Sequence, residues 1–171
     1  VPLGEVKITR KIKSLGIIVR TNSNIHISDQ NKKRIFNKDK LDYISKSLKS
    51  LIISINSFKN KFKNFKINLT IVDQSNKEDI NQLFDDVFSK LDFKVKIIAF
   101  DKNEYKDIIN LDYTKDIFGN LSSLFKCFNI GKQSNDDLIF FLEDDYLHKE
   151  TLIEEMVMTY ERISSQLNKE L

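Results

Sequence analysis

The run Leu138-Ile139-Phe140-Phe141-Leu142 passes directly into three acids, Glu143-Asp144-Asp145. Five consecutive apolar residues read as a buried strand. Three carboxylates at its end repel one another unless something positive lies among them. A hard divalent cation, which takes oxygen ligands, is the usual relief. The plainer alternative is a solvated acidic turn ahead of the next helix. Other reactive side chains are few. Cys127 stands alone, which excludes an internal disulfide and any multi-cysteine zinc site; its apolar, helix-like surroundings make it a core thiol rather than a nucleophile. His148 lies three residues beyond Asp145 and has the chemistry of a base or a metal ligand, but a histidine at a helix start is more often a surface residue. His26 lies in a basic loop with no partner suggested by spacing.

These residues need elements to hold them, and the hydrophobic pattern supplies an alternation. Leu15 to Arg20 reads as a first buried strand, followed by a polar, basic loop over 21–38. Leu41, Ile44, Leu48, Leu51, Ile55 and Phe58 recur at spacings of three and four, which predicts a helix of about five turns. Asn37 or Asp39 is suited to cap its start. Ile67 to Asp73 reads as a second strand that ends in Gln74-Ser75-Asn76 turn chemistry. The pattern then predicts a helix from Glu78 to about Ser89, with Ile80, Leu83, Phe84 and Val87 inward, and a third strand over Phe93–Ala99. Residues 101–117 carry no clear period. A helix is expected from about Asn120 to Gly131, with Leu121, Leu124, Phe125 and Phe128 inward. Leu138–Leu142 is the fourth strand. A last helix is expected from about Lys149 to Leu167 through Leu152, Met156, Tyr160, Ile163 and Leu167.

Strands alternating with helices predict an α/β layer fold with a mostly parallel sheet. Right-handed crossovers would bring the carboxyl ends of strands one, two and four to a shared rim, where ligands of such sheets sit. That rim would carry Arg20-Thr21-Asn22, Asp73-Gln74-Ser75 and Glu143-Asp144-Asp145. A cation, a lone carboxylate and an acidic cluster together suit a nucleoside diphosphate with its metal. Neither GxGxxG nor GxxxxGK[ST] occurs, which argues against a dinucleotide enzyme or a P-loop NTPase.

With 171 residues, 40% apolar and 31% charged, the chain is expected to form one globular domain with a real core. Four glycines and one proline leave little room for flexible linkers. No stretch approaches the roughly 18 unbroken apolar residues of a membrane span, and no signal peptide is visible. Charge is uneven. Residues 1–66 hold 16 Lys/Arg and 4 Asp/Glu, whereas residues 67–171 hold 12 and 21. A basic half suits an anionic partner, but its cations are interleaved with helix-period apolar residues rather than exposed aromatics, so nucleic acid is not the expected one. The expected location is cytoplasmic or peripheral to a membrane. The absence of an initial Met suggests a processed, tagged or excerpted chain.

Ile17-Ile18-Val19-Arg20-Thr21-Asn22, Leu69-Thr70-Ile71-Val72-Asp73-Gln74-Ser75 and Phe141-Leu142-Glu143-Asp144-Asp145 together resemble the landmarks of GT-A glycosyltransferases, especially those of family 2 type. The likeness spans about residues 14–165. It implies a Rossmann-like, three-layer GT-A fold and a donor that is a UDP- or GDP-linked sugar. Asp73 matches the base-contacting aspartate. Glu143-Asp144-Asp145 matches the DxD element, with Glu in place of its first Asp, which implies Asp145 and Glu143 as ligands of Mn²⁺ or Mg²⁺. Arg20 and Thr21 match the turn after the first strand. Ser75 follows the base position, Asp144 faces the donor, and Gly119-Asn120 resembles the pocket-lining segment before the DxD strand.

One departure is clear: only 26 residues follow Asp145, enough for one helix, whereas such enzymes place acceptor and general base in a further segment. The chain therefore resembles a donor-binding half, completed by missing sequence, a partner chain or self-association. By itself it is expected to bind donor and transfer sugar negligibly. The alternative is a non-catalytic interaction or nucleotide-binding module of the same fold. Receiver-type and Toprim-like domains need an acid after the first strand, and here Arg20-Thr21 stands there.

Overall fold

The computed structural model describes residues 6–22, 40–73, 84–85, 87–89, 91–109 and 115–171. Four strands, β1 (Ser14–Thr21), β2 (Lys66–Asp73), β3 (Lys96–Ala99) and β4 (Leu138–Glu143), form one sheet in the order β3-β2-β1-β4. Every pairing is parallel. Three helices are described, α1 (Lys40–Lys61), α2 (Lys115–Lys132) and α3 (Leu152–Leu167), with a single 3-10 turn over Lys102–Tyr105. Residues 84–85 and 87–88 are also helical. The predicted α/β class, with helices on both faces of a parallel sheet, is the observed one.

Alternation along β1 explains the layers. Leu15, Ile17 and Val19 face α1, α3 and the pair Phe84 and Val87, in a core shared with Ile67, Leu69 and Ile71 of β2. Ile18 and Val72 face the other way, toward Phe118 and Cys127 of α2 and toward Phe100, Tyr105 and Ile109. Both sides of β1 are buried, which is why its sequence is an unbroken apolar run rather than an alternating one. Gly16 sits where β4 begins: a Cβ there would lie 2.7 Å from Asp136 Oδ2 and 2.8 Å from Ile139 Cδ1. On α1 the stripe Ile44, Leu48, Leu51, Ile55 and Phe58 is buried as the period predicts. Each such side chain contributes about 1.5–3 kcal/mol by leaving water. Two serines on the same helix serve the neighbouring loop. Ser50 Oγ accepts from the His148 amide at 3.0 Å, and Ser54 Oγ accepts from the Ile153 amide at 3.0 Å. Ser54 thereby does for the first turn of α3 what Thr151, which makes no side-chain cap bond, does not.

The structure corrects several expected boundaries. β3 is only Lys96–Ala99, shorter than the predicted Phe93–Ala99. α2 begins at Lys115, well before Asn120, and α3 begins at Leu152. Two inward stripes are shifted. On α3, Ile153, Val157 and Ser164 are buried while Ile163 and Leu167 are exposed. On α2, Phe118, Ser122, Ser123 and Cys127 are buried, whereas Phe125 and Phe128 are exposed. Phe128 instead stacks edge-on against Phe141 of β4, with ring centres 5.1 Å apart. The predicted caps Asn37 and Asp39 lie outside the described residues, as does most of the helix expected from Glu78.

Candidate functional site

The chain lays β2 and β3 outward on one side of β1, then returns to place β4 on the other side. The sheet therefore reverses its order between β1 and β4. In open α/β sheets ligands bind in the crevice outside the carboxyl strand ends at such a reversal. Here the flanking residues are Arg20 and Thr21 at the end of β1 with Asn22 after it, Asp73 at the end of β2, and Glu143 at the end of β4 with Asp144 after it. Of the site residues expected from sequence, the fold gathers these along one rim. Ser75 and Gln74 lie outside the described residues, as do His26 and the basic run 32–34.

Register sets the first contact. Thr21 and Asp73 are partners across β1 and β2, and the Thr21 hydroxyl donates to Asp73 Oδ2. Both are buried, Asp73 completely. A carboxylate without water around it needs donors. The Thr21 hydroxyl is one of those donors.

Arg20 and Glu143 are register partners across β1 and β4. The guanidinium makes a salt bridge to Glu143 Oε1 and reaches α2, where Nη1 donates to Asn120 Oδ1, to Asn120 O at 3.2 Å and to Ser123 Oγ at 3.2 Å. Arg20 is thus a bridge between two strands and a helix, not a loose point charge awaiting phosphate. Asn120 lies inside α2 and serves that bridge.

Asp144 turns the opposite way. Its Oδ1 accepts from Lys40 Nζ, the first residue of α1, at 2.8 Å, and its Oδ2 accepts from the Asn22 amide at 3.3 Å. The residue is buried. Lys40 and Ser123 were not singled out from sequence. Lys40 lies in a basic stretch where nothing marks one cation above another, and the only trace of Ser123 is its spacing of three from Asn120.

Asp145 is exposed, and among the described residues no salt bridge reaches it. For a divalent cation the donor chemistry is suitable, hard oxygens throughout, but the arrangement divides the triplet. Glu143 faces α2 and carries Arg20; Asp144 faces α1 and carries Lys40. Among the described residues no group of three or more His, Cys, Asp or Glu side chains is placed to hold a metal ion. Glu143 and Asp144 do not fit a metal held by the protein alone. Asp145 fits one that arrives with its own oxygen ligands.

His148 is half-buried against α1, and burial lowers its pKa below the usual 6.5. The neutral imidazole is therefore the form favoured at neutral pH. Cys127 is buried, and desolvation pushes its thiol up to about 11. It is a core thiol, as its surroundings predict, and not a nucleophile at neutral pH. No described helix is long and apolar enough to cross a membrane. Comparison of the chain with protein-family models, with curated proteins and with solved structures finds no match in any of the three.

Proposed function

We propose that the carboxyl rim of the sheet binds a nucleoside-diphosphate sugar, the donor of a glycosyl transfer. The observation that carries this reading is the buried Thr21–Asp73 pair at the adjoining ends of β1 and β2, beside the point where strand order reverses. Asp73 is fully buried as it stands, so a base would reach it only by opening the strand ends; its carboxylate would then accept from the ring N–H of uracil or guanine, and adenine has no ring N–H to offer. The diphosphate would extend toward the reversal point between β1 and β4. Among the described rim residues acids outnumber cations: Asp73, Glu143, Asp144 and Asp145 against Arg20 and Lys40. An anionic ligand suits such a rim when Mn²⁺ or Mg²⁺ accompanies it, and Asp145 is the residue that would receive that ion. Such an ion supplies charge neutralisation on the leaving phosphate. The acceptor and the general base are not assigned to any described residue.

A second reading, a non-catalytic nucleotide-binding module, draws support from the commitment of Glu143 and Asp144 to ion pairs within the fold. Hydrolysis of a UDP- or GDP-sugar by the chain, even slow, would separate the two.

The test is thermal denaturation with UDP, GDP or ADP, each with Mn²⁺. One of UDP and GDP should raise the melting temperature well beyond ADP, since ligand at 100 times its Kd stabilises the native state by about 2.7 kcal/mol. Asp73→Ala should erase the discrimination, and Thr21→Val should weaken it. Equal shifts with all three diphosphates would remove the base-reading role of Asp73 and the proposal with it.

A further inference from the structure

We infer that Glu143 and Asp144 are positioning residues that fasten the end of β4 to the helices on either side, and that neither is a metal ligand. The motive is where each carboxylate already spends its oxygens. Glu143 holds Arg20, and through Arg20 the strand ends are tied to Asn120 and Ser123 of α2. Asp144 uses Oδ1 for Lys40 at the start of α1 and Oδ2 for the amide of Asn22, the residue after β1. Glu143 is the last residue of β4 and Asp144 the first of the turn after it; their partners lie on opposite faces, Arg20 toward α2 and Lys40 toward α1, so the two carboxylates diverge. The acids of this triplet thus do not await an external cation for relief; two of the three carry a cation of the chain. Removing either partner of a desolvated pair leaves a charge without its counter-charge, which costs more than the pair contributes. Asp144 is 6 % exposed, so its pair is the more shielded of the two.

What the fastening secures is the crevice. Glu143 fixes the α2 wall, and Asp144 fixes the α1 wall together with the Asn22 amide. This role rests on the rim being the binding site proposed above, but its test needs no nucleotide, so failure of one is separable from failure of the other.

The test exploits opposite signs. In an acidic cluster that lacks its cation, neutralising one acid relieves repulsion and raises stability. In a fastened pair, the same change lowers it. Melting temperatures are measured on the full chain in EDTA for the wild type and for Glu143→Gln, Asp144→Asn, Lys40→Met and Lys40→Arg. The double variant Lys40→Met/Asp144→Asn completes a cycle. Asp144→Asn and Lys40→Met should melt about 3–8 °C lower, and Glu143→Gln should melt lower by a smaller amount, because water screens its half-exposed carboxylate. Lys40→Arg, which keeps the charge, should recover most of the loss. The double variant should melt no lower than the poorer single, because both changes remove one interaction. Titration with Mn²⁺ alone, followed by electron paramagnetic resonance of the free ion, should give the same affinity for the wild type and both acid variants. A rise in melting temperature for either acid variant in EDTA overturns the inference. So does a loss of Mn²⁺ affinity of tenfold or more in either, about 1.4 kcal/mol. Should Asp144→Asn not fold, Lys40→Met and Glu143→Gln report the same sign.

Discussion

The two ends of the sheet satisfy their carboxylates by different means. At the amino rim Asp137 Oδ2 accepts from the amides of Lys13 at 2.6 Å and Ser14 at 3.1 Å, while its own amide donates to Ser14 Oγ at 2.9 Å. Next to it Asp136 accepts from Asn68 Nδ2 at 2.7 Å and from Ser134 Oγ at 2.7 Å. These donors are backbone or short side chains, fixed once the strands pair. At the carboxyl rim Glu143 and Asp144 accept from the tips of Arg20 and Lys40, long side chains with many rotamers, and only Asp144 adds a backbone donor, the Asn22 amide. A bond from a fixed amide follows from strand pairing, whereas a bond from a long cation must also hold that side chain in one rotamer. The difference makes the amino rim a lock between strands and the carboxyl rim a fastening of strand ends to helices.

This contrast can be broken most forcefully at Gly16. Gly16→Ala would drive a methyl against Asp136 and Ile139, costing about 2 kcal/mol by overpacking. Chemical denaturation should show that loss, while the affinity of the folded protein for the nucleoside diphosphates of the proposed function stays as in the wild type. A change in ligand preference in this variant would mean that the two rims are not separable.

A smaller effect is expected at Asp137. Hydrogen bonds from the backbone amides of Lys13 and Ser14 hold its pKa below the usual 3.8. A carboxyl depressed in the folded state stabilises fully above its unfolded pKa, and that contribution fades as the pH falls through its lower folded value. Asp137 is exposed, and water screens part of the effect, so Asp137→Asn should cost only about 0.5 kcal/mol at neutral pH. It should also flatten the decline in stability below about pH 4. Parallel acid-denaturation curves for the two proteins would contradict the assignment.

The smallest effect is at His148, beyond the carboxyl rim. Its depressed pKa, caused by burial, means that the unfolded chain takes up a proton before the folded one does. Its stabilising contribution is complete above pH 6.5 and is lost as the pH falls toward the lower folded value. His148→Gln should remove a few tenths of a kcal/mol of stability change between about pH 7 and pH 5. If the two stability curves coincide across that window, burial does not keep the ring neutral.

The residues that were legible in sequence are those with a single physical solution. Ile44, Leu48, Leu51, Ile55 and Phe58 form one stripe with polar residues around it, so α1 had only one side to bury. β1 was legible as an unbroken apolar run and β2 as Ile67, Leu69 and Ile71 at every second position ahead of Gln74-Ser75-Asn76 turn chemistry, and the parallel sheet follows from their alternation with helices. α2 and α3 were legible as helices, but their buried faces were not, because each carries apolar residues on more than one side. Phe118 and Cys127 compete with Phe125 and Phe128, and Ile153 and Val157 compete with Leu152 and Met156. Periodicity cannot rank two stripes of similar hydrophobicity; docking against β1, β2 and α1 does. The acid triplet follows the same division. Local sequence determined that Glu143, Asp144 and Asp145 would end a strand, though not the buried one expected: β4 lies at the sheet edge, none of its residues is buried and Phe141 is exposed. Only the tertiary structure decided that Arg20 and Lys40 would reach back to hold two of them. Those partners lie more than a hundred residues away in the chain, and long-range pairing of charges leaves no periodic trace in a sequence.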